Sequence, residues 1–103
     1  MAFDPTKRYK FLCCCGAGLG SSQMLASKLR MVCAKRNIQA KVDVASAGEG
    51  IGAAPRYDAT FCNENFLKVL AKARDKGAKI YGLKNVISAD EIGAALDRFF
   101  SEG

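Results

Sequence analysis

One short segment, Cys15 to Ser22, combines the residue types needed to hold a phosphate group and to attack it. It reads Cys-Gly-Ala-Gly-Leu-Gly-Ser-Ser, and it follows an apolar run typical of a buried strand. Glycines let backbone N–H groups converge on one point, and a helix N-terminus adds free N–H donors and partial positive charge. A cysteine beside such a cradle has a lowered pKa, so more of it is thiolate at neutral pH. The segment therefore predicts a nucleophile positioned to attack phosphorus.

The predicted site consists of this nucleophile and of a phosphate cradle. We expect Cys15 to be the catalytic residue. The cradle is predicted to consist of Gly16, Ala17, Gly18, Leu19, Gly20, Ser21 and Ser22. The segment is not G-x-G-x-x-G, since position 21 is serine, and it lacks the lysine of a Walker A loop.

The same strand–loop–helix pattern occurs in low-molecular-weight tyrosine phosphatases, which follow their cysteine with five residues and an arginine. Here the sixth residue after Cys15 is Ser21, so the guanidinium that would clamp the phosphoryl oxygens is missing. The chain also contains no histidine that could activate water. A phosphoryl carrier, which must keep its intermediate from water, suits these departures better than a phosphatase does.

Composition narrows the class of protein. The chain has 103 residues, of which 50% are hydrophobic and 25% charged, and we expect one domain over residues 1–103 with a loose tail at 1–7. No apolar run is long enough to span a membrane, and the N-terminus lacks the apolar core of a secretory signal. The net charge of +6 comes from scattered residues without interleaved aromatics, which disfavours nucleic-acid binding. It reflects either solvated helix faces or attraction to an acidic, phosphate-bearing partner.

The five cysteines include three in a row and no C-x-x-C pair, so neither a disulfide framework nor a zinc site is expected. We infer a reducing, cytoplasmic compartment. Cys13 and Cys14 are expected to pack within a strand, with a redox role as the alternative. Cys33 and Cys62 are expected in the core, although Cys62, near the end of a strand, could also face the site.

The elements that must position the site alternate between strands and helices. Strands are predicted at 8–15, 38–45, 59–62 and 79–83. A helix is predicted over 21–36, a second begins at an Asn63 cap and stops at Gly77, and a capping box at Ser88–Glu91 opens the last one. Residues 46–57 are expected to form a loop or a weak helical turn.

This order predicts a three-layer α/β/α fold with a four-stranded parallel sheet, Rossmann-like and resembling the low-molecular-weight tyrosine phosphatases. Ligands bind such sheets at the carboxyl ends of the strands, where Cys15 lies. Arg56, Lys84 and Asn85 are expected in loops at the same edge.

The segment from Cys15 to Ser22 resembles the active-site loop of enzyme IIB components of the bacterial phosphoenolpyruvate-dependent sugar phosphotransferase system. It is most similar to the ascorbate and galactitol groups, and Tyr81–Ser88 also resembles the ascorbate group. Cys13 and Cys14 depart from that pattern, which has small or branched apolar residues there.

The resemblance implies a phosphocysteine–sugar phosphotransferase that works at the cytoplasmic face of the membrane. Cys15 would accept a phosphoryl group from a phosphohistidine of enzyme IIA and pass it to a sugar bound by the membrane enzyme IIC. We expect no metal or nucleotide cofactor and a monomer that does not itself span the membrane. The alternatives are a phosphatase-like hydrolase and a non-enzymatic module that senses thiols or phosphate.

Overall fold

Four parallel strands form the centre of the molecule. The computed structural model describes residues 8–15, 19–85 and 87–102; for residues 15, 19–22, 47 and 102 the backbone alone is described. The sheet order is β2-β1-β3-β4, and every neighbouring pair is parallel. The strands are β1 (Arg8–Cys15), β2 (Gln39–Ser46), β3 (Ala59–Asn63) and β4 (Ile80–Leu83). The predicted parallel sheet is confirmed, with each strand boundary within one residue.

Helices cover both faces of this sheet, which confirms the predicted three layers. They are α1 (Leu19–Lys35), α2 (Ala47–Ala53), α3 (Ala71–Asp75) and α4 (Ala89–Glu102), with 3-10 helices at Ala54–Arg56 and Glu64–Phe66. One face packs against α1 and α4, and the other packs against α2, α3 and the 3-10 helices. The predicted tail at 1–7 lies outside the described residues.

Aromatic rings dominate the core beneath α1 and α4. Phe11 of β1 meets Phe99 of α4 edge to face, with ring centroids 5.6 Å apart, and it meets Phe61 of β3 in the same way at 5.4 Å. The apolar spacing in the two helices predicts their inner faces, and these are buried at Leu25, Leu29, Val32, Cys33, Ile92, Ala95, Leu96 and Phe99. Phe100, also predicted on the inner face of α4, is only partly buried against this core. Both long helices are therefore fixed to the sheet by contacts along their length.

The segment at 46–57, expected to form a loop or a weak helical turn, is helical over most of its length. Ser46 caps α2: its hydroxyl accepts a hydrogen bond from the backbone N–H of Glu49 at 3.3 Å and donates to Glu49 Oε1 at 3.0 Å. The Ser-x-x-Glu spacing that favours a helix start is present in the sequence. The glycines at 48, 50 and 52, which disfavour a helix, obscured it.

The helix predicted after Asn63 is broken into two pieces. Asn63 is a cap as predicted, since its side-chain oxygen accepts from the N–H of Asn65 at 2.9 Å, but it caps a 3-10 helix. Leu67 then packs over Gly82, where an added Cβ would lie 2.7 Å from Leu67 Cδ1. This close approach draws the segment onto the sheet before α3 forms. Gly77 ends α3 with φ of +97°, as a helix-terminating glycine does.

Candidate active site

The carboxyl edge of the sheet brings the ends of four strands together. Register pairs Cys15 with Ser46 of β2 and Asn63 of β3 with Leu83 of β4. Cys14 pairs with Cys62, so Cys15 and Asn63 each stand one residue beyond that pair. The chain leaves β1 toward β2 on one side and later returns to β3 on the other. Such a switch point opens the crevice in which ligands bind in parallel α/β sheets.

The start of α1 lies four residues after Cys15 along the chain. The helix begins at Leu19, so the prediction of a helix start at residue 21 is wrong by two residues. Leu19, Gly20, Ser21 and Ser22 therefore form its first turn. The backbone N–H groups of a first turn lack acceptors within the helix, and the positive end of the helix dipole lies there. Both features suit an anion held between Cys15 and the helix.

The remaining cradle residues, Gly16, Ala17 and Gly18, lie outside the described residues. The roles of Cys15 as nucleophile and of residues 16–22 as the cradle stay predictions. The structure shows the scaffold: a strand that ends at Cys15 on the switch-point edge, and a helix that begins four residues later.

The other four cysteines are thiols packed into the core, as predicted. Cys13 and Cys14 are both fully buried, and they contribute to the cores on opposite faces of the sheet. Cys62 is also fully buried, and its Sγ donates to the carbonyl of Tyr81 at 3.8 Å, so it belongs to the core rather than to the site. Burial raises the pKa of Cys33 to about 11, although nearby Arg36 lowers it somewhat. Cys33 is therefore protonated at neutral pH.

Arg56 was expected at the carboxyl edge, and this expectation is wrong. The helical segment from Ala47 to Arg56 runs back along the sheet, and Arg56 lines a cavity of about 200 Å³ with Lys10 and Lys41, near the amino ends of β1 and β2. Arg56 lies three residues before β3 begins at Ala59, and the connection between two parallel strands must return to the amino edge of the sheet before the next strand starts.

The connection between β4 and α4 is held by a carboxylate of α4. Glu91 accepts hydrogen bonds from the backbone N–H of Asn85 at 2.7 Å and of Lys84 at 3.2 Å. The capping box predicted at Ser88 is thus half confirmed. Ser88 Oγ accepts from the N–H of Glu91 at 3.3 Å, but the Glu91 carboxylate binds the preceding loop. Lys84 and Asn85 follow β4 at the carboxyl edge, as expected. Val86, within the stretch Tyr81–Ser88, lies outside the described residues.

Two further polar residues lie at this edge, of which Asn63 was predicted only as a helix cap and Ser46 was not predicted to have a role. Ser46 ends β2 beside Cys15, and Asn63 ends β3. Each has its side chain engaged as a cap, Ser46 with Glu49 and Asn63 with Asn65. These caps fix the first residues of α2 and of the 3-10 helix Glu64–Phe66, which follow β2 and β3. Within the described residues, no group of three or more metal-ligating side chains comes together.

Comparison with known families agrees with this architecture. The family model described as "PTS system, Lactose/Cellobiose specific IIB subunit" matches residues 10–98. The chain therefore belongs to this family of phosphotransferase-system IIB subunits.

A solved structure with the same fold is the lactose-specific IIB component domain of the phosphoenolpyruvate:carbohydrate phosphotransferase system from Streptococcus pneumoniae. It is 19% identical to this chain, with a TM-score of 0.64, and the similarity covers 92% of this chain and 97% of the other. No match was found among curated proteins.

Family membership establishes the general role. IIB domains are phosphotransferases that carry a phosphoryl group in sugar phosphotransfer and sugar transport, and they generally work with IIA and IIC components. Over the part of the chain that is described, no helix has the length and apolar character needed to cross a membrane. The match does not establish the ascorbate or galactitol subgroup.

Proposed function

We propose that this chain accepts a phosphoryl group on Cys15 from a phosphohistidine of an enzyme IIA and passes it to a sugar bound by a membrane enzyme IIC. The observation that carries the proposal is the position of Cys15. It ends the strand at the switch point, and the first turn of α1 follows at Leu19. In this scheme residues 1–103 act as a single monomeric domain at the cytoplasmic face of the membrane.

The proposed chemistry is an in-line exchange at phosphorus. The Cys15 thiolate forms an S–P bond as the N–P bond to the donor's histidine breaks, and the imidazole leaves with the electron pair of that bond. The backbone N–H groups of the cradle, residues 16–22, stabilise the charge on the equatorial oxygens. In the second step the sugar hydroxyl attacks, loses its proton, and the thiolate leaves again.

The chain offers little help to hydrolysis of this intermediate. It contains no histidine, and serine occupies position 21 where the phosphatases carry arginine. Water at the site would therefore lack both an activating imidazole and a clamp on the transferring group. A long-lived phosphocysteine is the expected consequence, and it suits a carrier.

The test is phosphoryl transfer from phosphoenolpyruvate through the general enzymes and a IIA protein, followed by the intact mass of this chain. We expect a gain of one phosphoryl group in the wild type and none in Cys15→Ser or Cys15→Ala. Because the chain has no histidine, the adduct cannot be a phosphohistidine of its own. If the chain stayed unmodified beside fully charged IIA proteins, the carrier role would be rejected. Rapid loss of the group to water would favour the hydrolase alternative.

For the sugar we propose ascorbate or a polyol such as galactitol, on the resemblance of Tyr81–Ser88 to the ascorbate group. Membranes that contain a candidate IIC would be incubated with the phosphorylated chain and with ascorbate, galactitol, lactose or cellobiose in turn. Formation of ascorbate phosphate or galactitol phosphate is the expected result. Transfer to lactose or cellobiose alone would overturn this assignment.

A further inference from the structure

Two apolar side chains project into solvent beside the carboxyl edge of the sheet. Met24 of α1 is 53% exposed, and Ile87, between β4 and α4, is 41% exposed. With Ser27 and Lys28 they line one depression of about 240 Å³. These four residues are called the Met24 patch below. The two other large exposed hydrophobic side chains in the described part of the chain are Met31 and Val69, and neither lines the depression.

The Met24 patch adjoins the predicted reaction site. Met24 is five residues beyond the start of α1, a distance of about 8 Å along the helix axis. Ile87 belongs to the connection that leaves β4 at the carboxyl edge, the edge at which β1 ends with Cys15. A protein that brings a phosphoryl group to this edge is therefore in a position to contact the Met24 patch.

The exposed position of Ile87 is maintained by hydrogen bonds. The backbone N–H of Ile87 donates to Asn85 Oδ1 at 3.1 Å, and the N–H of Ser88 donates to the Asn85 carbonyl at 3.1 Å. Asn85 is in turn held by Glu91, which accepts from its N–H at 2.7 Å. A loop fixed in this way cannot readily turn Ile87 inward. Exposed apolar side chains that lie together, rather than singly, mark contact sites for another protein.

We propose that the Met24 patch is the docking surface for the phosphohistidine-bearing donor protein, a IIA-type partner. This inference rests on the carrier function proposed above. Methionine adapts its shape to an incoming surface, and Met24 and Ile87 supply the apolar centre of a small interface.

The charges around the Met24 patch favour the phosphoryl donor, rather than the sugar-bearing acceptor, as the protein that docks there. Lys28 lies in the patch, and exposed Lys84 belongs to the same β4–α4 connection as Ile87. The nearby carboxylate of Glu91 is engaged by two backbone N–H groups. The donor arrives with a negatively charged phosphoryl group, which these two lysines attract. When this chain meets the sugar-bearing acceptor, the negatively charged phosphoryl group is already on this chain, so the acceptor does not supply the same attraction. The partner surface is therefore expected to have an apolar centre with acidic residues around it.

The experiment measures the rate at which phosphorylated IIA transfers its group to this chain. Met24→Gln and Ile87→Gln are compared with Met31→Gln and Val69→Gln, which remove an equally exposed apolar side chain elsewhere. Met31 lies seven residues further along α1, about 10 Å from Met24. We expect the first two changes to lower kcat/KM roughly tenfold, mainly by raising KM, and the controls to change it less than twofold.

A second comparison keeps the test independent of folding. Lys28→Glu, at a half-buried lysine of the patch, is expected to slow transfer and to weaken its dependence on salt. Lys68→Glu, at an exposed lysine that does not line the depression, is expected to do neither. The rate of Cys15 alkylation, measured on every variant, shows whether the site itself is intact. A variant with slow transfer and unchanged alkylation has lost docking.

The outcomes separate the two proposals. If the wild-type chain is never phosphorylated, the carrier function fails. If the wild type is phosphorylated and the Met24 and Ile87 variants match their controls, the docking surface is wrong. If these variants accept the group normally but pass it on slowly to the IIC-bound sugar, the patch serves the acceptor, and the assignment to the donor is overturned.

Discussion

The position that a Cβ atom would occupy on Gly50 lies 2.5 Å from Sγ of Cys14. Gly50 is in the middle of α2, and Cys14 is the residue before Cys15 at the end of β1. The missing side chain lets α2 lie directly against the strand that ends at the predicted nucleophile. Leu70 Cδ2 closes the same contact from the direction of α3, at 3.2 Å from that position. The packing behind Cys15 therefore depends on a glycine.

Gly50→Ala is expected to destabilise the protein by about 1–3 kcal/mol, because the new methyl group collides with Cys14 and with Leu70. Gly52→Ala, in the same helix with nothing within 4 Å, is expected to stabilise by up to about 1 kcal/mol through helix propensity. Urea denaturation of the two variants measures the difference. In a Cys14→Ala background the cost of Gly50→Ala should shrink. An equal effect of both substitutions on stability would contradict the predicted collision.

The stability of the protein is expected to fall at alkaline pH partly because of Cys33. Burial raises its pKa from an ordinary value of 9.0 to about 11. The unfolded chain therefore releases this proton first, and the stabilising contribution, complete below pH 9, is lost as the pH rises toward 11. Over this range the free energy of unfolding falls by roughly 1–3 kcal/mol because of Cys33.

The measurement is the free energy of unfolding between pH 8 and pH 11 in the wild type and in Cys33→Ala. The variant is less stable throughout because it leaves a cavity, so the difference between the two slopes is the relevant quantity. A wild-type slope no steeper than that of the variant would show that Cys33 ionises normally in the folded protein.

Cys15 is expected to react with iodoacetamide far faster than the other cysteines. Cys13, Cys14, Cys33 and Cys62 are at most 3% exposed, which excludes reagent from the folded state. The predicted position of the Cys15 thiol beside a helix start favours the thiolate and so raises its reactivity at neutral pH. At pH 7 the first equivalent of iodoacetamide should react roughly tenfold faster than the second. Peptide mapping locates it, and Cys15→Ser should lack the fast phase. A fast phase that persists in Cys15→Ser would point to a different accessible thiol.

Two arginines protect the outer strands of the sheet. Arg30 donates from its guanidinium to the carbonyl of Val42 in β2 at 2.8 Å, and Arg74 donates to the carbonyl of Ile80 in β4 at 2.8 Å. Since β2 and β4 are the edge strands, each bond occupies a carbonyl that could otherwise pair with another chain.

The double variant Arg30→Gln/Arg74→Gln is therefore expected to self-associate at concentrations at which the wild type does not. Lys68→Gln/Lys72→Gln removes the same charge at exposed positions and controls for solubility. Light scattering coupled to size-exclusion chromatography gives the mass of each. Equal masses for the two double variants would mean that the arginines do not prevent association through the edge strands.

Patterns with short periods were predictable from the sequence. The strand predicted at 38–45 follows from alternating apolar residues, and the inner faces of α1 and α4 follow from their helical spacing. The strand at 8–15 follows from its apolar run. The Ser88 cap and the Gly77 stop follow from local backbone chemistry. The order of the elements then required parallel strands and placed Cys15 at the ligand-binding edge.

Features that depend on distant residues were not predictable in this way. The Glu91 carboxylate was expected to cap its own helix, but the neighbouring loop offers it two backbone N–H groups that only the fold brings near. The break between Glu64–Phe66 and α3 depends on Leu67 packing over Gly82, which is 15 residues away along the chain.

From the sequence alone we could therefore predict the class of fold, the strand that ends at Cys15 and the glycine-rich segment that joins it to a helix. These are local properties, set by side-chain periodicity and by backbone conformational preference. Tertiary packing set the exposed position of Ile87 and the close approach of Gly50 in α2 to Cys14. Each of these depends on which surfaces the chain brings together on folding, and spacing along the sequence does not encode that directly.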